Sequence, residues 1–193
     1  MSERTLLVVG AGGHGKAVAE AALLSGSWQR IVFADDRWPE LKEWAGWPVV
    51  AKGADIVHLR ASVQGAIAAI GNNGLRSRFV QAIDAAGLPL VSIIHPRAYV
   101  SDSALLGAGV AIMACAMVGT DARLGKAAIV NASATVDHDA ALGDFAHLGV
   151  GVQLAGGVHI GARAWLQAGC CAGYGVKVAD DAVLAPGAVL QAI

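Results

Sequence analysis

Charge, aromatic side chains and cysteine are all scarce in this chain. Charged residues occupy 15% of its 193 positions, and 14 Lys and Arg against 15 Asp and Glu leave a net charge of −1. They are scattered singly, so no basic face suits nucleic acid and no polybasic patch suits anionic lipid. The three cysteines, Cys115, Cys170 and Cys171, make neither a disulfide framework nor a CxxC metal pair. None of the six histidines stands in HxxH or HxH spacing, and no metal is expected. The opening MSERTLLVVGAGG contains an acidic residue and too short an apolar run for a signal peptide, which predicts a cytoplasmic address. The charge-free stretch from Ser103 to Thr120 reaches the lower length limit of a membrane span. It is rich in Ala, contains Gly107, Gly109 and Gly119 and does not follow a helical period, so no membrane insertion is expected.

What the chain does have is a period. From Val100 through Leu106, Ile112 and Val118 to Leu184 and Leu190, every sixth residue is aliphatic, with Ala172 the smallest of the series. Four residues after each comes a second small apolar residue, from Ala104, Val110 and Ala116 to Val176, Ala182 and Ala188. Six fits neither an α-helix nor a simple strand alternation, but it fits three short sides closing one triangular coil, a parallel β-helix of about five coils. Cys170 falls on an inward position of that register, where a thiol acts as a small core side chain.

Eighteen residues per coil stack each position over its counterpart at the strand spacing of about 4.8 Å. His138 therefore lies between Thr120 and Gly156, in an outward place of its hexad, flanked by Asp137 and Asp139. A carboxylate beside an imidazole fixes its tautomer and raises its basicity, which marks His138 as a candidate general base. Gly156, one coil on, is the candidate backbone donor to an oxyanion. His147 ends the following hexad, at the next corner of the same coil. His58, His95 and His159 have no supporting partners and read as structural or solvated.

The first half reads differently. Thr5–Gly10 is a short apolar run ending in glycines, followed by a helix that Gly26 can close. A strand over Arg30–Ala34 ends at Asp35 and Asp36, and a Trp- and Pro-rich segment follows from Trp38 to Pro48. A buried strand over Gln64–Ile70, a helix over about Leu75–Ala86 and a last strand over Leu88–Ile94 complete a small Rossmann-like parallel α/β sheet. Gly10, Gly12 and Gly15 satisfy GxGxxG, and the acidic pair sits about twenty residues on, where a dinucleotide fold holds a ribose. About ninety residues cannot hold two mononucleotide halves, so NAD is not expected. What remains is an anion site at a helix N-terminus, suited to a diphosphate. The expected domains are 1–95 for nucleotide-sugar binding and 96–193 for the β-helix.

The GxGGHGK turn, the DD pair, the GNN segment before a helix containing Arg76, the IHP junction and the single VDHD within uninterrupted hexapeptides resemble the bacterial sugar acetyltransferases of the left-handed β-helix superfamily. The likeness is strongest to N-acetyltransferases of UDP-4-amino-4,6-dideoxy sugars. It implies a nucleotide sugar in the N-terminal domain, acetyl-CoA along the β-helix, and sites between subunits of a homotrimer. By that resemblance His138 is the catalytic base and Asp139 orients it. His147 lies close to the acetyl-CoA thioester, and Gly156, reached from the stacking of coils, is expected to contact acetyl-CoA as well. Gly10, Gly12, Gly13, His14, Gly15, Asp35, Asp36, Asn72, Asn73 and Arg76 serve the sugar nucleotide. His138 and His147, at different corners, are then expected to share a site only across a subunit boundary. Related chains continue into a proline-containing tail where this one stops at Ile193. Two other readings stay open on sequence: O-acetylation of a sialic-acid-type sugar, and a non-catalytic trimer that only binds the nucleotide sugar.

Overall fold

The computed structural model describes residues 3–191, and the chain end at Ile193 lies outside them. The described chain falls into two compact units that divide between Ile93 and Ile94.

In the first unit, β1 (Thr5–Val9) is buried throughout, as its unbroken apolar run requires. It is followed by α1 (Gly13–Leu24), β2 (Arg30–Ala34), β3 (Glu43–Trp44), β4 (Trp47–Ala51), β5 (Gly65–Ala68) and α2 (Asn73–Ala85). The sheet order is β3-β4-β2-β1-β5. Strands β4, β2, β1 and β5 are parallel, while β3 runs antiparallel to β4. The antiparallel edge departs from the purely parallel sheet that the sequence predicts. It arises within the Trp- and Pro-rich segment, where Ala45 (φ 51°) and Gly46 (φ 86°) both take left-handed angles and close a two-residue hairpin.

Helix α2 starts at Asn73, ahead of the expected Leu75, because the Asn72 Oδ1 accepts the Leu75 N–H at 2.9 Å and caps it. The expected strand over Leu88–Ile94 shrinks to a bridge between Ala66 and Leu90 and a two-residue strand at Ile93–Ile94. Pro89 has no N–H to continue a ladder, although its carbonyl accepts from Ala66 at 2.9 Å.

The second unit is a left-handed parallel β-helix built of two-residue strands in three stacks. Successive coils pair eighteen residues apart, as in Val118 with Val136 and Leu124 with Leu142. Both inward positions of each hexad merge into one core, from Val110 and Ile112 to Cys170 and Ala172. The side chains at the terminal coils, such as Val100 and Leu190, are only partly buried because they have a neighbouring coil on one side. Ser103–Thr120 forms part of these coils. Among the described residues no helix is long and apolar enough to cross a membrane.

Candidate functional site

Each unit carries a concentration of polar groups at positions that the sequence singles out. In the β-helix it is the corner at residues 137–139. Asp139 takes a left-handed φ of 60°, and its N–H donates to the Thr120 carbonyl at 2.9 Å, locking the turn to the coil before it. The turn brings the Asp139 Oδ2 to 2.8 Å from the His138 Nδ1. A carboxylate only accepts, so Nδ1 carries the proton and the neutral ring presents a bare Nε2. Asp137 holds the backbone through its Oδ1, which accepts the His138 N–H at 2.7 Å. The hydrogen bond to Asp139 raises the His138 pKa above its ordinary value, opposed by slight desolvation and aided by the charges of Asp137 and Asp139.

The distal end of the imidazole lies on Gly156. A Cβ at that position would overlap Cε1 and Nε2 of His138 and come within 3.1 Å of its Cδ2. The space that the glycine leaves is thus filled by the ring itself. Among the described residues the Gly156 N–H donates to no protein acceptor, while the neighbouring Gly157 N–H is spent on the His138 carbonyl at 2.9 Å. A groove of about 440 Å³ borders the same corner, with Asp121, Arg123, Asp139 and His159 in its wall. His159, set aside on sequence as solvated or structural, lines this groove, and its Nδ1 donates to the Gly157 carbonyl at 2.9 Å.

His147 is placed elsewhere. It lies within a strand rather than at a corner, paired with Ile129 below and Trp165 above. It is 7% exposed, and its ring stacks on Trp165 at 5.7 Å between centroids, 14° from parallel.

In the first unit a cavity of about 340 Å³ opens at the carboxyl ends of β1, β2 and β5. The chain leaves β1 toward β2 on one side and reaches β5 on the other, so this is the crevice where parallel sheets take ligands. Gly10, Gly12, Gly13, His14, Asp35 and Asp36 all line it. Gly12 is the N-cap of α1 and provides no side-chain cap, which keeps a side chain out of the helix start. Gly15 faces the other way: a Cβ there would strike the Gly10 carbonyl, so this glycine lets the helix pack on the strand.

The two acids at the end of β2 differ in what they can still bind. Asp35 accepts the Ala11 N–H at 2.8 Å, the Arg37 N–H at 3.1 Å and the Arg37 Nε at 2.7 Å. Burial raises its pKa, but these hydrogen bonds and the Arg37 charge outweigh burial and hold it below the ordinary value. Arg37 also donates to the Ala11 carbonyl at 2.6 Å, so Asp35 and Arg37 together staple the glycine turn. Asp36 accepts the Gly53 N–H at 3.1 Å through one oxygen and is the more exposed of the pair. Sequence reasoning missed Arg37, although it directly follows the pair it serves.

Asn72, Asn73 and Arg76 do not line the cavity. Asn72 caps α2, and Arg76 is 1% exposed, its Nη1 donating to the Ile70 and Gly71 carbonyls at 2.8 and 3.2 Å. Burial lowers the Arg76 pKa to about 10. These residues shape the segment that walls the cavity from behind. Among the described residues no three His, Cys, Asp or Glu side chains gather as metal ligands would.

Comparison with known proteins adds three findings. Residues 5–83 match the family described as the PglD N-terminal domain. A curated relative, UDP-N-acetylbacillosamine N-acetyltransferase of Bacillus subtilis (strain 168), is 30% identical over 116 residues, 58% of this chain and 52% of that protein, so the match spans about half of the relative's length. Among solved structures, the acetyltransferase domain of PglB from Neisseria gonorrhoeae FA1090 in complex with acetyl coenzyme A superposes with a TM-score of 0.91 at 36% identity, covering 98% of this chain and 94% of that one. PerB from Caulobacter crescentus in complex with CoA and GDP-perosamine gives a TM-score of 0.89 at 36% identity, covering 100% and 93%.

Proposed function

Because this chain belongs to the hexapeptide-repeat sugar acetyltransferases that carry a PglD N-terminal domain, we propose that it transfers the acetyl group of acetyl-CoA to the amine of a nucleotide-linked amino sugar. A UDP-4-amino-4,6-dideoxy sugar is the first acceptor to test, given the curated relative's substrate name. The observation that carries the reading is His138, its Nδ1 held by Asp139 and its Nε2 poised over Gly156. A scaffold has no use for an outward imidazole so fixed.

The glycine turn and uncapped start of α1 bind the diphosphate, and Asp36 is the acid that still has a carboxylate oxygen to offer the nucleoside. As the amine attacks the thioester carbonyl, the His138 Nε2 takes its proton and the C–N bond forms. The Gly156 N–H receives the oxyanion. The tetrahedral intermediate then expels CoA as thiolate, which recovers a proton from the imidazolium. No acyl-enzyme is formed, and no metal or nicotinamide takes part.

We further propose a homotrimer acting in the cytoplasm. Trp165 at 37%, Val183 at 61% and Val189 at 65% exposure support assembly, since one chain leaves these apolar side chains uncovered. His147, at acetyl-CoA in this reading, belongs with His138 of a neighbouring subunit. The test is a panel of UDP-, GDP- and dTDP-amino sugars plus sialic acid with acetyl-CoA, followed by free thiol. Release with an amino-sugar nucleotide supports N-acetyl transfer. Release with sialic acid alone reassigns the chain to O-acetylation, and release with none removes the enzymatic reading.

A further inference from the structure

The column that stacks at the catalytic corner reads Thr120, His138, Gly156, Tyr174, one residue per coil. The glycine rung carries no side chain, and the His138 ring that fills its space approaches the Tyr174 ring on the coil beyond. The His138 and Tyr174 centroids lie 6.3 Å apart with planes at 44°, a tilted aromatic pair. The phenol is 69% exposed, so no core packing requires it to be there. The imidazole is itself half-exposed, at 52%, and is tethered by a side-chain hydrogen bond at Nδ1 alone. That bond fixes one end of a ring that can still pivot. The Gly156 backbone stands against the ring on the side of the next coil, and the Tyr174 ring, one coil further on the same side, bounds the imidazole where the glycine offers no side chain.

We propose that Tyr174 is a positioning residue for His138, its ring confining the imidazole to the rotamer that keeps Nε2 over Gly156. The inference rests on His138 being the base. The relevant part of Tyr174 is its ring, because the described hydrogen bonds assign its hydroxyl no partner. Phe preserves the ring, and Leu keeps a side chain in place without it. The mechanism predicts loss in turnover rather than in donor binding, because what changes is how often the base points at the reacting amine.

The experiment compares Tyr174→Phe, Tyr174→Leu and Tyr174→Ala with the intact protein by initial rates of thiol release, alongside His138→Ala. Expected are wild-type kcat in Phe and a fall of about ten-fold in both Leu and Ala, with the KM for acetyl-CoA within about two-fold, a misplacement smaller than the ~1 Å that costs about 10². In a Gly156→Ala background, where the ring is already displaced, Tyr174→Ala should cost markedly less than it does alone, because the two sites act on one rotamer. A Tyr174→Phe variant as slow as Ala would overturn the proposal by assigning the role to the hydroxyl. So would wild-type kcat in Leu and Ala, or full additivity with Gly156→Ala. If His138→Ala retains full activity, the underlying acetyl-transfer reading fails instead. An inactive His138→Ala with a fully active Tyr174→Ala removes only the present inference.

Discussion

Replacing Gly156 by Ala separates the geometry of the base from everything else at the site. Carbon atoms in ordinary contact lie about 3.5–4.0 Å apart, whereas a Cβ at 156 overlaps Cε1 and Nε2 of His138 and sits 3.1 Å from Cδ2. The ring must retreat by roughly 1 Å to restore contact distances. Because the ring is half-exposed, it can do so without disturbing the core, and Gly156 does not occupy the left-handed region that would penalise Ala. The backbone N–H survives the substitution, so the donor proposed for the oxyanion is unchanged. A displacement of about 1 Å at a reacting group costs on the order of 10²-fold, or ~2.7 kcal/mol of transition-state stabilisation. Gly156→Ala should therefore lower kcat about 10²-fold while leaving the thermal melting temperature nearly unchanged. Stopped or continuous thiol-release assays at saturating substrates, with scanning calorimetry for melting, measure both. A variant with kcat within about two-fold of wild type would refute the placement of the imidazole over Gly156.

Three further perturbations address other links. His138→Ala should lower kcat by roughly 10²–10⁴, the usual contribution of a positioned base, with assembly intact by light scattering. Asp139→Asn removes the charged acceptor that raises the His138 pKa. With the neutral imidazole as the proposed base, the acidic limb of the kcat/KM profile should move to lower pH while the plateau falls, and a limb that stays in place would exclude His138 as the titrating group. Asp35→Ala strips the acceptor from the Ala11 N–H and from Arg37, at a cost of about 1–3 kcal/mol in denaturant unfolding at neutral pH. The Asp35 pKa is lowered in the folded protein, so its contribution is present above the unfolded value of about 3.9 and is lost as pH falls through the folded one. The gap between wild type and variant should close in acid, and a gap independent of pH would contradict the staple.

The sequence by itself determined whatever is repeated. A six-residue apolar phase reports a backbone in which every coil bonds the next in the same way, so the β-helix, its inward Cys170 and the stacking of His138 over Gly156 all follow from counting. Tyr174 was within reach of the same arithmetic, thirty-six positions after His138, since columns carry through a glycine rung. In the first unit, glycine spacing placed the tight turn at the start of α1 because a missing Cβ is a local property. The tertiary structure decided which polar groups remain available to a ligand. Asp35 is saturated by Ala11 and Arg37, Asn72 caps a helix and Arg76 is sealed beneath the Ile70 and Gly71 carbonyls, although all three read equally well as ligand contacts in the chain. His147 likewise is fixed by its stack on Trp165, eighteen residues away. Periodicity fixes where a side chain starts, but its hydrogen-bond partners come from other elements, and they determine whether its polar atoms are still free to act.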